Sequence, residues 1–165
     1  MLEKYEQPHL LIENLVIERM NQSDIFDVKV LEAEANLSTW SIEGYECELN
    51  HPDSICLVAR VENNIVNSIV GFIIARLIIT DYSCEIYNIA VDKNYRRSKI
   101  GSKLLTHLHK LCEQFSLEEI QLEVRPSNQS AIIFYKKFGY KFSYTRKNFY
   151  NNPVEDGFVM INKLR

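Results

Sequence analysis

The sequence predicts an α/β (α+β) fold: one three-layer domain in which a mixed, mostly antiparallel sheet is flanked by helices. Three observations predict it. Two strand-like runs, "SICLVAR" (54–60) and "IVNSIVGFIIARLIIT" (65–80), flank the turn Glu62-Asn63-Asn64 and read as a hairpin. A strand–helix–strand–helix–strand succession follows from residue 84 onward. The length of 165 residues, with 46% hydrophobic and 25% charged side chains, suits one soluble domain with a sizeable core.

The elements follow in order. Residues 1–14 are polar, contain Pro8 and read as a loosely attached N-terminal extension, with the domain spanning 15–165. "LVIERM" (15–20) alternates as a short strand. "SDIFDVKVLEAEA" (23–35) offers Ser23 or Asp24 as a helix cap and spaces Ile25, Val28 and Leu31 along one face. "SIEGYECEL" (41–49) reads as a second short helix capped by Ser41. After the hairpin, Asp81-Tyr82-Ser83 turns the chain into "CEIYNIAV" (84–91), apolar on both faces and so a central strand. A long helix over about 100–115 is read from Ile100, Leu104, Leu108, Leu111 and Phe115. "IQLEV" (120–124) is a strand, with Ile120, Leu122 and Val124 on one face and Gln121, Glu123 and Arg125 on the other. "NQSAIIFYKKFG" (128–139) is a helix with Asn128 near its cap and Gly139 just past its end. "YKFSYTRKNFY" (140–150) and "FVMINKL" (158–164) close the chain as strands.

Composition narrows the function. A net charge of −3 argues against a general binder of nucleic acid or membrane surfaces, which needs a basic face. "MLEKYEQPHL" lacks the apolar stretch of a signal peptide, and "IVGFIIARLII" is too short to span a bilayer and is broken by Arg76. Cys47, Cys56, Cys84 and Cys112 form no CxxC pair and read as reduced thiols of a cytoplasmic protein. His107 and His109, two apart on a helix, point to different faces, so no metal site is expected there.

One stretch is out of keeping with the mildly acidic whole. "YRRSKIGSKLL" (95–105) puts Arg96, Arg97, Lys99 and Lys103 where a helix begins, although a helix N-terminus already carries partial positive charge. Strand, basic glycine-containing loop and helix start together make a phosphate-holding geometry: backbone N–H groups face the oxygens, Gly101 allows close approach, and Ser102 adds a hydroxyl. The alternative is a solvated basic turn. Neither the Walker spacing nor a Rossmann fingerprint is present.

"NIAVDKNYRRSKIGSKLL" (88–105) resembles the acetyl-CoA loop of the GNAT acetyltransferase superfamily, [QR]-x-x-G-x-[GA], with Arg96 at the first position, Gly101 at the last, and Lys99 in place of the intervening glycine. "LEVRPSNQSAIIFYKKFGY" (122–140), "RKNFYNNPVEDGFVM" (146–160) and "EAEANLSTWSIEGYECELNHPDSICLVAR" (32–60) are similar to the RimI-type ribosomal-protein alanine N-acetyltransferases, with Thr39 where a proline usually precedes Trp-Ser. The resemblance runs from about residue 15 to the end.

That resemblance implies acetyl-CoA as cosubstrate and a protein N-terminus of ribosomal origin as acceptor, beside the composition's own expectation of no metal and no direct contact with nucleic acid or membrane. It implies that the coenzyme A pyrophosphate is held by the loop Arg96, Arg97, Ser98, Lys99, Ile100, Gly101 and Ser102. The backbone of Ile89, Ala90 and Val91 would bind the acetyl-pantetheine arm, with Asn128 as a further cofactor contact. It makes Glu123 the general base, through a water, and Tyr135 the general acid. Phe149, Tyr150 and Trp40, the last placed in the early helical segment, would border the acceptor slot. Read by themselves, Glu123 fits an ion pair on a solvated strand face, and Tyr135 and Trp40 fit core packing. Cys112, sharing a helix face with Leu105 and Leu108, reads as a buried hydrophobe. Rival functions are transfer to another terminus or a small amine, a coenzyme-A-binding pseudoenzyme, and a plain phosphate-binding domain.

Overall fold

The computed structural model describes residues 14–35, 37, 39–62 and 67–164. Of the expected extension over 1–14, residues 1–13 lie outside the described residues, as do the hairpin residues Asn63 and Asn64. Seven strands and four α-helices follow one another as β1 (Leu15–Arg19), α1 (Ile25–Glu34), α2 (Ile42–Asn50), β2 (Ser54–Glu62), β3 (Asn67–Ile78), β4 (Ser83–Val91), α3 (Ile100–Gln114), β5 (Glu119–Val124), α4 (Gln129–Lys137), β6 (Lys141–Asn151) and β7 (Val154–Lys163). They build one sheet in the order β1-β2-β3-β4-β5-β7-β6, antiparallel at every pairing except β4–β5. The mixed, mostly antiparallel three-layer fold is the one the sequence predicts.

Helices cover both faces. On one, α3 buries Ile100, Leu104, Leu105, Leu108 and Cys112 against Ile73, Leu77, Cys84 and Ile120, and α4 adds Ile132 and Tyr135. Each fully buried leucine contributes about 1.5–3 kcal/mol relative to exposure. Gly71 on β3 allows this packing, since a Cβ there would lie 3.0 Å from the Ala90 carbonyl and 3.1 Å from Ile100. On the other face, Val28, Leu31 and Tyr45 of α1 and α2 cover Val58, Phe72 and Ile74. Buried Arg60 of β2 holds Asp24 at 2.8 Å and Glu18 at 2.6 Å, tying the start of α1 to the sheet.

Several local expectations are corrected. Asp24 is the N-cap of α1, one of the two expected positions, but its side chain makes no capping bond to α1; it serves the preceding 3₁₀ turn, where Asn21 accepts from the Ser23 amide at 2.9 Å and the Asn21 amide donates to Asp24 at 2.9 Å. Phe115 lies past the last residue of α3 and is 55% exposed, and Cys112 completes the buried stripe. Strand β4 is central but not apolar on both faces; from Cys84 on, buried residues alternate with the half-buried Glu85, Tyr87, Ile89 and Val91.

The last point follows from how β4 is paired. It pairs with β3 over most of its length, but with β5 only through Ser83–Ile86 opposite Glu119–Leu122. Pairing with β3 skips from Ile86 to Asn88, so Tyr87 is an extra residue, a bulge that bends the strand. Beyond it β4 and β5 diverge, leaving a slot in the middle of the sheet.

Candidate active site

A cavity opens on each side of this slot. The larger, about 570 Å³, is lined by Ile89, Ala90 and Val91 of β4, by Arg96, Arg97, Lys99, Ile100, Gly101 and Ser102, and by Asn128 and Phe134. The smaller, about 330 Å³, is lined by Trp40, Glu85, Tyr87, Asn88, Glu123, Arg125, Phe149 and Tyr150. Ile89, Asn128 and Tyr135 line both, so the two meet at the split.

The larger cavity is made by the chain between β4 and α3. Asp92 closes one 3₁₀ turn, Lys93–Tyr95, by accepting from the Asn94 amide at 2.7 Å. Arg97 and Lys99 then take left-handed conformations, φ 66° and 64°. Such a backbone costs a non-glycine residue roughly 1–2 kcal/mol, and it explains why a glycine is at home at position 99. Lys99 caps α3 without a side-chain bond, and the first intrahelical bond runs from the Lys103 amide to the Lys99 carbonyl at 2.9 Å. The amides of Ile100, Gly101 and Ser102 therefore have no helical acceptor. Arg96, Arg97 and Lys99 are exposed beside them and add positive charge to the positive end of the helix dipole. Ser98 and Lys103 do not line the cavity. A Cβ on Gly101 would make only ordinary contacts, 3.5 Å to Phe134 and 3.6 Å to Val91. The protein's own packing does not demand glycine there, and its absence of a side chain keeps the cavity floor open.

The smaller cavity is assembled from distant elements. Strand β5 directs Glu123 into it, where Arg146 of β6 binds the carboxylate at 2.6 Å, the ion pair that the residue types alone allowed. The Arg146 guanidinium lies 4.2 Å from the Phe149 ring centre. Gly157, opposite Arg146, makes room: a Cβ there would be 3.0 Å from Phe149. Register is lost between Arg146 and Tyr150, where Asn148 turns left-handed (φ 51°), and this bulge brings Phe149 and Tyr150 to the cavity. Arg125, just past β5, stacks on Tyr150 at 4.1 Å and donates to the carbonyls of Asn152 (3.0 Å) and Pro153 (3.1 Å) and to Glu155 (3.1 Å). It thus fastens the β6–β7 hairpin to the end of β5.

Burial, then the Glu123 charge, pushes the Tyr150 hydroxyl up to about 12. Tyr135 is buried on α4 and is raised well above the ordinary phenol range by burial and then by Tyr150, so it stays protonated. Asn128 caps α4 by accepting from the Ala131 amide at 3.2 Å, as expected, while also facing both cavities. Trp40 lies before α2, not within it, with its ring 5.5 Å from Tyr45 and 5.7 Å from Tyr87. Its amide donates at 3.1 Å to Glu32, a fully buried carboxylate that also accepts from the Tyr45 hydroxyl at 2.9 Å.

The sequence reading did not single out Glu85, Tyr87, Asn88, Arg125 and Arg146. Glu85 had a signal, since a charge inside an otherwise apolar strand is costly without a reason. The arginines had none, because their partners are 23 to 30 residues away. His109 contacts the Tyr140 hydroxyl at 3.0 Å, and among the described residues no three His, Cys, Asp or Glu side chains are grouped to hold a metal. Cys47, Cys56, Cys84 and Cys112 are all free thiols.

A helix start with free amides, an unpaired strand edge, a carboxylate and a phenol thus line two cavities that meet at the slot. The acetyltransferase (GNAT) family pattern matches residues 25–140, and the chain belongs to that family, an acyl-transferring enzyme. A Bacillus subtilis (strain 168) protein described as a putative [ribosomal protein bS18]-alanine N-acetyltransferase is 30% identical over 145 residues, covering 87% of this chain and 92% of that protein. N-alpha-acetyltransferase 50 of Danio rerio is 42% identical over 73 residues, 43% of this chain and 44% of that one. The crystal structure of the ribosomal-protein-S18-alanine N-acetyltransferase from Escherichia coli superposes with a TM-score of 0.78 at 25% identity, covering 91% of this chain and 94% of the other.

Proposed function

We propose that this enzyme uses acetyl-CoA to acetylate a protein N-terminal amine, with the N-terminal alanine of a small-subunit ribosomal protein as its acceptor and the cytoplasm as its place of work. The observation that carries the reading is the meeting of two cavities of different chemistry at Tyr135 and Ile89. The relatives described as alanine N-acetyltransferases support the acceptor.

The larger cavity fits coenzyme A as a substrate. The free amides of Ile100, Gly101 and Ser102, with Arg96, Arg97 and Lys99, would hold its pyrophosphate, and the open floor at Gly101 admits it. The β4 edge at Ile89, Ala90 and Val91 would bind the pantetheine arm as an added strand. Asn128 would add a polar contact at the junction.

From the other side, Trp40, Phe149 and Tyr150 would border the acceptor's N-terminus. An α-amino group titrates near 7.7–8.0, so only modest help is needed to make it nucleophilic at neutral pH. Glu123, through a water, would take the proton released as the nitrogen bonds to the acetyl carbon. Tyr135, kept protonated by burial, would give its proton to sulfur as the carbon–sulfur bond breaks.

Release of free coenzyme A thiol tests this, using a hexapeptide that begins with alanine beside the same peptide with a blocked amine. Release is expected only with the free amine and is expected to fall on the order of a hundredfold or more in Glu123→Gln. Release with small amines but not the peptide would overturn the acceptor. Unchanged release in Glu123→Gln would overturn the base.

A further inference from the structure

Glu32 of α1 is a fully buried carboxylate that the transfer chemistry does not use. Its Oε1 gathers three donors from three elements: the Trp40 amide at 3.1 Å, the Tyr45 hydroxyl at 2.9 Å and the Asn88 side-chain amide at 3.4 Å. Burial, then the Glu32 charge, raises the Tyr45 hydroxyl well above the ordinary phenol range, so it stays a donor. Glu32 Oε2 accepts no hydrogen bond among the described residues, and the Lys29 ammonium lies 3.8 Å from it.

Lys29 and Glu32 stand one turn apart on α1 and share a face. They take opposite ends of one residue. The Trp40 amide donates to Glu32, and the Trp40 carbonyl accepts from the Lys29 ammonium. Among the described residues, no backbone hydrogen bond joins the α1–α2 connection to the sheet, so these two side chains hold its main chain at Trp40.

A buried carboxylate is costly, and replacing a buried ion pair by apolar groups is often neutral or stabilising. Ile25, Val28 and Leu31 already anchor α1. What the carboxylate adds is placement. Trp40 and Asn88, two of its three donors, line the smaller cavity, and the Trp40 ring stands against Tyr45 and Tyr87.

We propose, on the reading of the acceptor given above, that Glu32 and Lys29 are positioning residues for the acceptor. They grip the Trp40 main chain from both sides and hold its indole as a fixed wall of the acceptor's cavity. Glu32 also ties that wall to Asn88 of β4, so the cavity keeps its width before the acceptor enters. Neither side chain lines the cavity. The pair sets acceptor affinity and leaves the chemical step to others.

Trp40 is the only tryptophan of the chain, so its fluorescence reports on the wall directly. Lys29→Met keeps the aliphatic stem, loses the ammonium and alters a side chain that is 31% exposed, so the fold is expected to hold. With the alanine-starting hexapeptide, its KM is expected to rise about tenfold, as loss of a charge-assisted bond allows, with kcat and the acetyl-CoA KM within about twofold. Trp40 emission should move to longer wavelength before peptide is added. Lys29→Arg, which keeps a cationic donor, should restore both. Glu32→Gln keeps the shape without the charge and should also raise the peptide KM selectively. A merely structural loss would instead weaken both substrates alike. An unchanged peptide KM in Lys29→Met overturns the proposal, as does a fall in kcat at unchanged KM. If wild type releases thiol with spermidine and not with the peptide, the N-terminal reading fails, and the spermidine KM of the same variants still decides the role of Lys29 and Glu32. If no amine releases thiol, both fall.

Discussion

The two cavities beside the split sheet are built in opposite ways. The larger is drawn almost wholly from residues 89–102 and α4, and it offers backbone amides with exposed positive charges around them. The smaller takes side chains from the α1–α2 connection, β4, β5, α4 and the β6–β7 hairpin, and remote arginines hold two of them, Arg146 on Glu123 and Arg125 on Tyr150. A site of the first kind loses affinity in graded steps as charges are removed. A site of the second kind loses its geometry when one remote brace is cut.

Removing two charges from the first site gives the largest contrast. Arg96→Ala with Arg97→Ala should weaken coenzyme A binding by about tenfold to a hundredfold, less at high salt, with the peptide affinity of the second site intact. Titration calorimetry at two ionic strengths checks this, and an equal loss of peptide affinity would merge the two sites into one.

Cutting one brace comes next. Arg125→Ala frees the hairpin from β5 and unstacks Tyr150. The peptide KM should rise about tenfold while coenzyme A affinity stays within about twofold, since the lost charge-assisted bonds lie only on the acceptor side. A parallel loss on the donor side would show that the clefts share one scaffold.

The smallest effect runs the other way. Lys99→Gly removes a positive charge and also a left-handed side chain, so the protein should gain about 1 kcal/mol in denaturant unfolding while binding coenzyme A slightly less well. No gain in stability would mean that the Lys99 side chain stabilises the loop by an amount that offsets its backbone cost.

Legibility followed the same division. Asn128 and Gly139 bracket α4 as read, because a cap and a left-handed glycine act over three or four residues. The alternation Ile120, Leu122, Val124 placed Glu123 on the open face for the same local reason. Ser23 and Asp24 could not be told apart as the cap of α1 because capping residues in a row compete; Asp24 takes the position, while Asn21 caps the 3₁₀ turn before it. Reading β4 as apolar on both faces hides Glu85, because the missing β5 partner beyond Ile86, which opens one side to the cavity, is a matter of strand pairing and not of local pattern. The Arg125 and Arg146 contacts depend on a bulge at Asn148 and on strand order, and no window of sequence shows either.

The slot between β4 and β5 also bears on how the protein avoids its own kind. Unpaired strand edges at the rim of a sheet invite other chains to pair, and proteins spend charges, prolines and bulges to blunt them. Here one unpaired edge, Tyr87–Val91 of β4, lies inside the sheet, flanked by β5 and the hairpin, beside a cavity that Tyr135 and Trp40 line. A second folded sheet cannot reach it. Only a thin, extended molecule can, so the opening that admits a slender substrate is, by its width alone, closed to aggregation.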